Sequence, residues 1–87
     1  MKWFVYIVKC NDGCLYTGIT TNPKRRVKEH NFDKVRGAKS LVGKLPVKLV
    51  YSKVYNNQKD AAKREREIKG WKRKKKLKLI NREVYPE

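Results

Sequence analysis

Trp3 to Lys9 reads WFVYIVK, with aromatic and β-branched side chains at successive positions. Neighbouring side chains of a strand point to opposite faces, so a segment that is apolar in both registers has to be covered on both sides. That requirement makes it a central strand. Asn11-Asp12-Gly13 supplies turn chemistry immediately after it, with Gly13 able to take positive φ, and Leu15 to Ile19 (LYTGI) returns as the second strand of a β-hairpin. Gly18 weakens that second strand unless something must approach its backbone closely, a helix or a phosphate being the two candidates.

Thr21 or Asn22 followed by Pro23 is a helix start, an N-cap and then a residue whose missing N–H is not needed at the first helical position. The helix runs from Pro23 to His30 or Asn31, with Arg26 and His30 on one face and Val27 turned inward. Residues 32 to 46 are rich in Gly, Ser, Lys and Arg around a Leu41-Val42 pair, which marks a functional loop with room for one short helical turn. Val47 to Tyr55 alternates as a third strand that places Val47, Leu49 and Tyr51 on one face. Asn57, with Asp60 three residues on, resembles a capping box opening a helix to Lys69, and Gly70 breaks it. A basic segment from Trp71 to Ile80 then continues as a helix whose Trp71, Leu77 and Ile80 reach the core. The expected fold is α+β: a small three-stranded antiparallel sheet, the hairpin plus a third strand, flanked by helices. With 87 residues there is one core, over residues 1–82, and a frayed tail at 83–87.

Lys and Arg number 24 against 8 acidic residues, a formal net charge of +16. Solubility needs far less, so a polyanion is the expected partner, nucleic acid first and an anionic membrane surface second. No stretch approaches the ~20 consecutive apolar residues of a membrane span, and the N-terminus has no signal-peptide pattern, so the expected setting is the cytoplasm. Cys10 and Cys14, the two cysteines, flank the hairpin turn and read as reduced thiols; with His30 as the one histidine they are too few for a structural zinc site.

Glu65 is out of place in this basic chain. At about 100° per residue it falls on the apolar stripe of its helix, between Ala61 and Ile68 on one side and Ala62 on the other. A carboxylate there needs a cation. Two readings stand: an arginine from elsewhere in the fold, which is structural, or a divalent ion, which makes the position catalytic.

Phe4-Val5-Tyr6 and Tyr16-Thr17-Gly18, Arg26 eight residues after that glycine, His30 one turn further and Glu65 on a distal helix together resemble the GIY-YIG endonuclease superfamily. Phe4 stands where the first glycine of that motif would be. The chain is most similar to the short stand-alone bacterial members, sharing Leu15 to Thr20 (LYTGIT), the RR and EH pairs within Arg25 to His30, Gly37-Ala38-Lys39, Leu49-Val50-Tyr51, and the RE and IK pairs around Glu65 and Ile68. The resemblance implies metal-dependent phosphodiester cleavage. Carried over by position, Glu65 holds one divalent ion, Mg²⁺ or Mn²⁺, and Arg26 binds the scissile phosphate. Tyr6 orients or deprotonates the attacking water, Tyr16 and His30 complete the site, and Gly18 is structural.

Such chemistry suits these residue types. Mg²⁺ keeps several waters and uses only one or two protein carboxylates, and a guanidinium fork matches two phosphate oxygens. Lys24, Arg25, Lys39, Lys44, Lys72, Arg73, Lys74 and Lys75 are the expected nucleic-acid contacts. The reading is an endonuclease on structured or damaged DNA, DNA favoured over RNA, with a protein partner that supplies specificity. Its rivals are a basic nucleic-acid-binding module that does no hydrolysis and an adaptor whose basic tail docks on an acidic partner.

Overall fold

A computed structural model of the chain describes residues 1–33, 37, 41 and 43–82. The expected contact Lys39, the helical turn placed within 32–46 for the most part, and the tail 83–87 lie outside the described residues. Three strands, β1 (Trp3–Lys9), β2 (Leu15–Thr20) and β3 (Lys48–Tyr55), form one antiparallel sheet in the order β2-β1-β3. The doubly apolar strand is therefore the central one. Val5, Ile7 and Val8 are fully buried and Tyr6 nearly so.

The hairpin closes through Cys10 N–H to the Cys14 carbonyl (2.8 Å) and Gly13 N–H to the Cys10 carbonyl (2.9 Å). Gly13 takes φ of 89°, the left-handed region its missing Cβ permits. Helix α1 (Pro23–Phe32) is capped by the Asn22 side chain, which accepts from the Arg25 N–H, and Pro23 occupies its first turn. Helix α2 (Gln58–Lys69) is capped by Asn57, whose side-chain oxygen accepts from the Asp60 N–H at 2.9 Å. Its amide also donates to the Asp60 carboxylate (3.2 Å), the short-chain version of a capping box.

Two layers cover the sheet. On one face Val5, Ile7 and Tyr51 pack with Ala61 and Ile68 of α2, and Trp71, Leu79 and Ile80 close over them. On the other, Tyr6, Val8, Cys10, Leu41 and Val47 pack with Tyr16, Leu49 and Val27 of α1.

The structure corrects three expectations. Val47 and Leu49 do not share a face with Tyr51. The β1–β3 register pairs Ile7 with Tyr51 but Val8 with Leu49, so Val50 is an extra residue and the bulge turns Tyr51 to the opposite side. The third strand begins at Lys48 because the backbone of Val47 is engaged elsewhere. Its N–H donates to Asn31 Oδ1 (2.7 Å) and its carbonyl accepts from Asn31 Nδ2 (3.1 Å), which fastens the end of α1 to the start of β3. Finally, helix α3 is Arg73–Arg82, and Leu79 joins Trp71 and Ile80 against the core while Leu77 is exposed. Residues 70–72 lie between helices, with Gly70 N–H returning to the carbonyls of Arg66 and Glu67, so helical periodicity counted from Trp71 does not carry into α3.

Candidate active site

The candidate site is built on Tyr6. Strand register places Tyr6 opposite Gly18 and Val8 opposite Tyr16, so both tyrosines rise from the same face of the sheet. A Cβ at position 18 would lie 2.6 Å from the Tyr6 hydroxyl and 2.7 Å from its ring carbon Cζ. What approaches Gly18 closely is thus the Tyr6 phenol, in place of the expected helix or phosphate. The glycine lets the ring lie flat across β2, the outer strand on that side of the sheet.

Helix α1 brings the rest. Tyr6 Oη is 2.8 Å from His30 Nε2, a buried pair. Tyr16 stands edge-on to the imidazole, with ring centroids 5.5 Å apart, and 6.4 Å from the Tyr6 ring. Arg26, one turn before His30, hydrogen-bonds Tyr6 and holds Glu29 Oε1 at 3.2 Å. Arg26 can only donate, so the Tyr6 oxygen accepts from it, while the Tyr6–His30 bond takes its direction from the tautomer of the imidazole. The result is a linked row of guanidinium, phenol and imidazole.

Burial governs protonation here. It pushes the Tyr6 hydroxyl up to about 12, helped by Tyr16 and slightly by the charge of Glu65, with Arg26 pulling the other way. Burial, with Arg26 adding to it, lowers His30 to about 4. Burial also works against the Arg26 charge, yet the bonds to Glu29 and Tyr6 prevail and raise its pKa. At neutral pH the cluster therefore holds a neutral phenol, a neutral imidazole and a fixed cation.

Glu65 stands on α2, the helix that covers the other sheet face, and its charge acts on Tyr6 from there as the weakest of the influences on that phenol. The cation beside it is Lys69 Nζ at 3.2 Å, one turn along the same helix, where the structural reading had expected an arginine from elsewhere. The Glu65 side chain is 18% exposed and the Lys69 side chain 53%, so the carboxylate has access to water and a partner on a flexible stem. A lone carboxylate with water beside it fits a largely hydrated divalent ion. Among the described residues no three His, Cys, Asp or Glu side chains gather as a metal-binding group.

The expected nucleic-acid contacts fall in separate places. Lys24 and Arg25 are exposed on α1, Arg25 bonding Thr21 Oγ1 at 3.2 Å. Lys44 lies beside the hairpin, 3.8 Å from Asp12. Arg73 donates to the Gly13 carbonyl at 2.6 Å, which ties α3 to the hairpin turn. Lys72, Lys74 and Lys75 line a groove of about 750 Å³ along α2 and α3 together with Arg64, Lys78 and Arg82. The sequence reading missed Glu29, Arg64 and Arg82; Lys78 belongs to the run Lys72 to Lys78 that its charge density assigns to phosphate binding. Glu29 was detectable, since it stands three residues after Arg26 and four after Arg25, the spacings of helical ion pairs.

Comparison with known proteins gives a consistent result. A family model described as the GIY-YIG catalytic domain matches residues 2–78. A UPF0213 protein of Staphylococcus epidermidis is 52% identical over 79 residues, 91% of this chain and 94% of that protein. One from Staphylococcus haemolyticus is 48% identical over the same share of each chain. The solution structure of a UPF0213 protein from Bacillus halodurans superposes with a TM-score of 0.63 at 37% identity, covering 99% of this chain and 89% of that one. A solution structure from E. faecalis gives 0.62 at 33% identity, covering 100% and 94%.

Proposed function

Because the chain belongs to the GIY-YIG catalytic-domain family, a family of nucleases acting on nucleic acids, we propose that it is a metal-dependent endonuclease working in the cytoplasm on structured or damaged DNA. The observation that supports this reading is the convergence of Tyr6, Tyr16, Arg26 and His30 on one side of the sheet around a buried Tyr6–His30 hydrogen bond, with the charge of Glu65 acting on Tyr6 from α2.

Glu65 would hold the divalent ion, Mg²⁺ or Mn²⁺, which when bound supplies Lewis acidity toward the phosphate and lowers the pKa of water. The chain's own residues do the rest. Arg26, kept cationic by Glu29, would offer its guanidinium to a phosphate oxygen and stabilise the charge that grows there. Tyr6 at about 12 is a neutral phenol and a poor base at neutral pH, so its role is to orient. The phenol oxygen orients the attacking water while the His30 hydrogen bond fixes the ring, and because an imidazole held to about 4 does not keep a proton at neutral pH, the proton of the water passes to bulk solvent. Tyr16 packs edge-on to His30 and keeps the ring in line.

One observation favours a second reading, a nucleic-acid-binding module without hydrolysis: Lys69 already offsets the Glu65 charge with no ion needed. A panel of duplex, flap, junction and single-stranded DNA and RNA, incubated with Mg²⁺ or Mn²⁺, separates the two. Glu65→Gln is expected to abolish metal-dependent nicking while DNA affinity holds or improves, because a carboxylate near the polyanion has gone. Equal nicking by both proteins would remove Glu65 from the chemistry. Arg26→Lys keeps charge but loses the planar fork, so turnover should fall at least tenfold more than affinity; matched losses would reduce Arg26 to a binding role.

A further inference from the structure

The groove on α2 and α3 is built differently from the catalytic cluster. Six cations line it, Arg64, Lys72, Lys74, Lys75, Lys78 and Arg82, with no acidic side chain among the described residues of the lining. Glu67 approaches Arg64 at 4.0 Å from outside and is half exposed, so it offsets one charge of the six. Trp71 organises the floor: the Arg64 guanidinium lies 4.9 Å and the Lys75 ammonium 4.3 Å from the indole centroid. With two cations on its ring the indole is engaged, and it positions charge where an open aromatic would stack on a base. A surface of this kind reads phosphates and ignores sequence.

Position matters as much as charge. Trp71 and Leu79 pack on the sheet face that carries Val5, Ile7 and α2, whereas Tyr6, Val27 and α1 belong to the opposite face. Of the site residues only Glu65 shares a helix with the groove, so a straight duplex that follows Tyr6 and α1 would have to bend around the molecule, or present another arm, to fill it.

We infer that the α2–α3 groove is a second nucleic-acid site, holding the phosphate backbone of a segment other than the one cleaved, so that the substrate class is bent or branched. It rests on the nucleic-acid reading above but not on hydrolysis. The test is fluorescence anisotropy in EDTA, with a short straight duplex and a four-way DNA junction as probes across a range of salt. The variants are Lys74→Ala/Lys75→Ala/Lys78→Ala in the groove and Lys9→Ala/Lys28→Ala/Lys53→Ala as an equal charge loss from exposed lysines of β1, α1 and β3. Each double-helical phosphate contact contributes about 0.9 to the slope of log affinity against log salt. The groove variant should lower the junction slope by up to about 2.7, with tenfold or greater loss of junction affinity and a smaller loss for the duplex. The control should change little. An unchanged slope in the groove variant, or an equal loss in the control, would overturn the site. A duplex loss as large as the junction loss would overturn the bent or branched substrate. Lost binding only to phosphatidylserine vesicles would assign the groove to a membrane surface and overturn the proposal. Junction binding with normal salt response but no nicking by the unaltered protein would count against hydrolysis and leave the groove standing; failure of the unaltered protein to bind either probe would sink both.

Discussion

His30 shows how much burial can reset a residue. Its ordinary value of 6.5 falls to about 4 because the imidazole is buried beside Tyr6, Tyr16 and the Arg26 charge, with Glu29 too weak to offset them. The sign follows. Above pH 6.5 both folded and unfolded chains carry neutral histidine, and full stability is present; as pH falls from 6.5 toward 4 the unfolded chain binds a proton that the folded one refuses. Stability should drop by up to about 3 kcal/mol over that window, and a His30→Gln protein should lack this component. As the one histidine of the chain, His30 gives an unambiguous ring-proton titration by NMR, with an expected midpoint near 4. A midpoint near 6.5 would show that the imidazole is not buried beside Arg26 in solution. The residue types of the cluster were legible because Tyr6, Tyr16, Arg26, His30 and Glu65 stand at the spacings of a known pattern. The partner of Gly18 was not, because reading it needs the Tyr6–Gly18 register, and register depends on how the turn from Cys10 to Cys14 closes. Glu29 escaped notice for another reason: in a sequence, a carboxylate among lysines on a helix looks like a solvated charge.

At the scale of elements, turn and cap chemistry carried the reading furthest. Pro23, Asn57 and Gly70 each mark a boundary where the structure has one, because these signals act through their own and adjacent backbone groups. What needed distant partners was illegible. The bulge at Val50 and the Asn31 bridge to Val47 both arise from contacts made only after the sheet has assembled, and both altered β3. Local and tertiary contributions can be separated at Asn57, whose side chain is exposed and bonds only within its own helix start. Asn57→Ala should cost about 1 kcal/mol in urea unfolding, with an unchanged m-value. A cost near zero would mean that packing of Ala61 and Ile68 alone holds α2 in place.

Across the whole molecule, +16 charges on 87 residues repel one another, and the same charges attract a polyanion. Salt should therefore act in opposite directions on the two properties. Raising NaCl should raise the thermal midpoint of the isolated protein by screening self-repulsion, while it weakens DNA binding steeply through counterion release. Parallel trends would show that the charge is locally neutralised by ion pairs such as Arg25–Glu29 and Lys69–Glu65. Among the described residues no helix is long and apolar enough to cross a membrane.

The two thiols of the hairpin differ in a way that is of practical use. Cys10 is buried, and burial pushes its thiol up, whereas Cys14 is exposed at the turn that Arg73 clasps through the Gly13 carbonyl. A maleimide dye should thus attach at Cys14 first, with no engineered cysteine, and its fluorophore would sit beside the first turn of α3. Changes in its emission would report on that clasp directly as ligand enters or leaves.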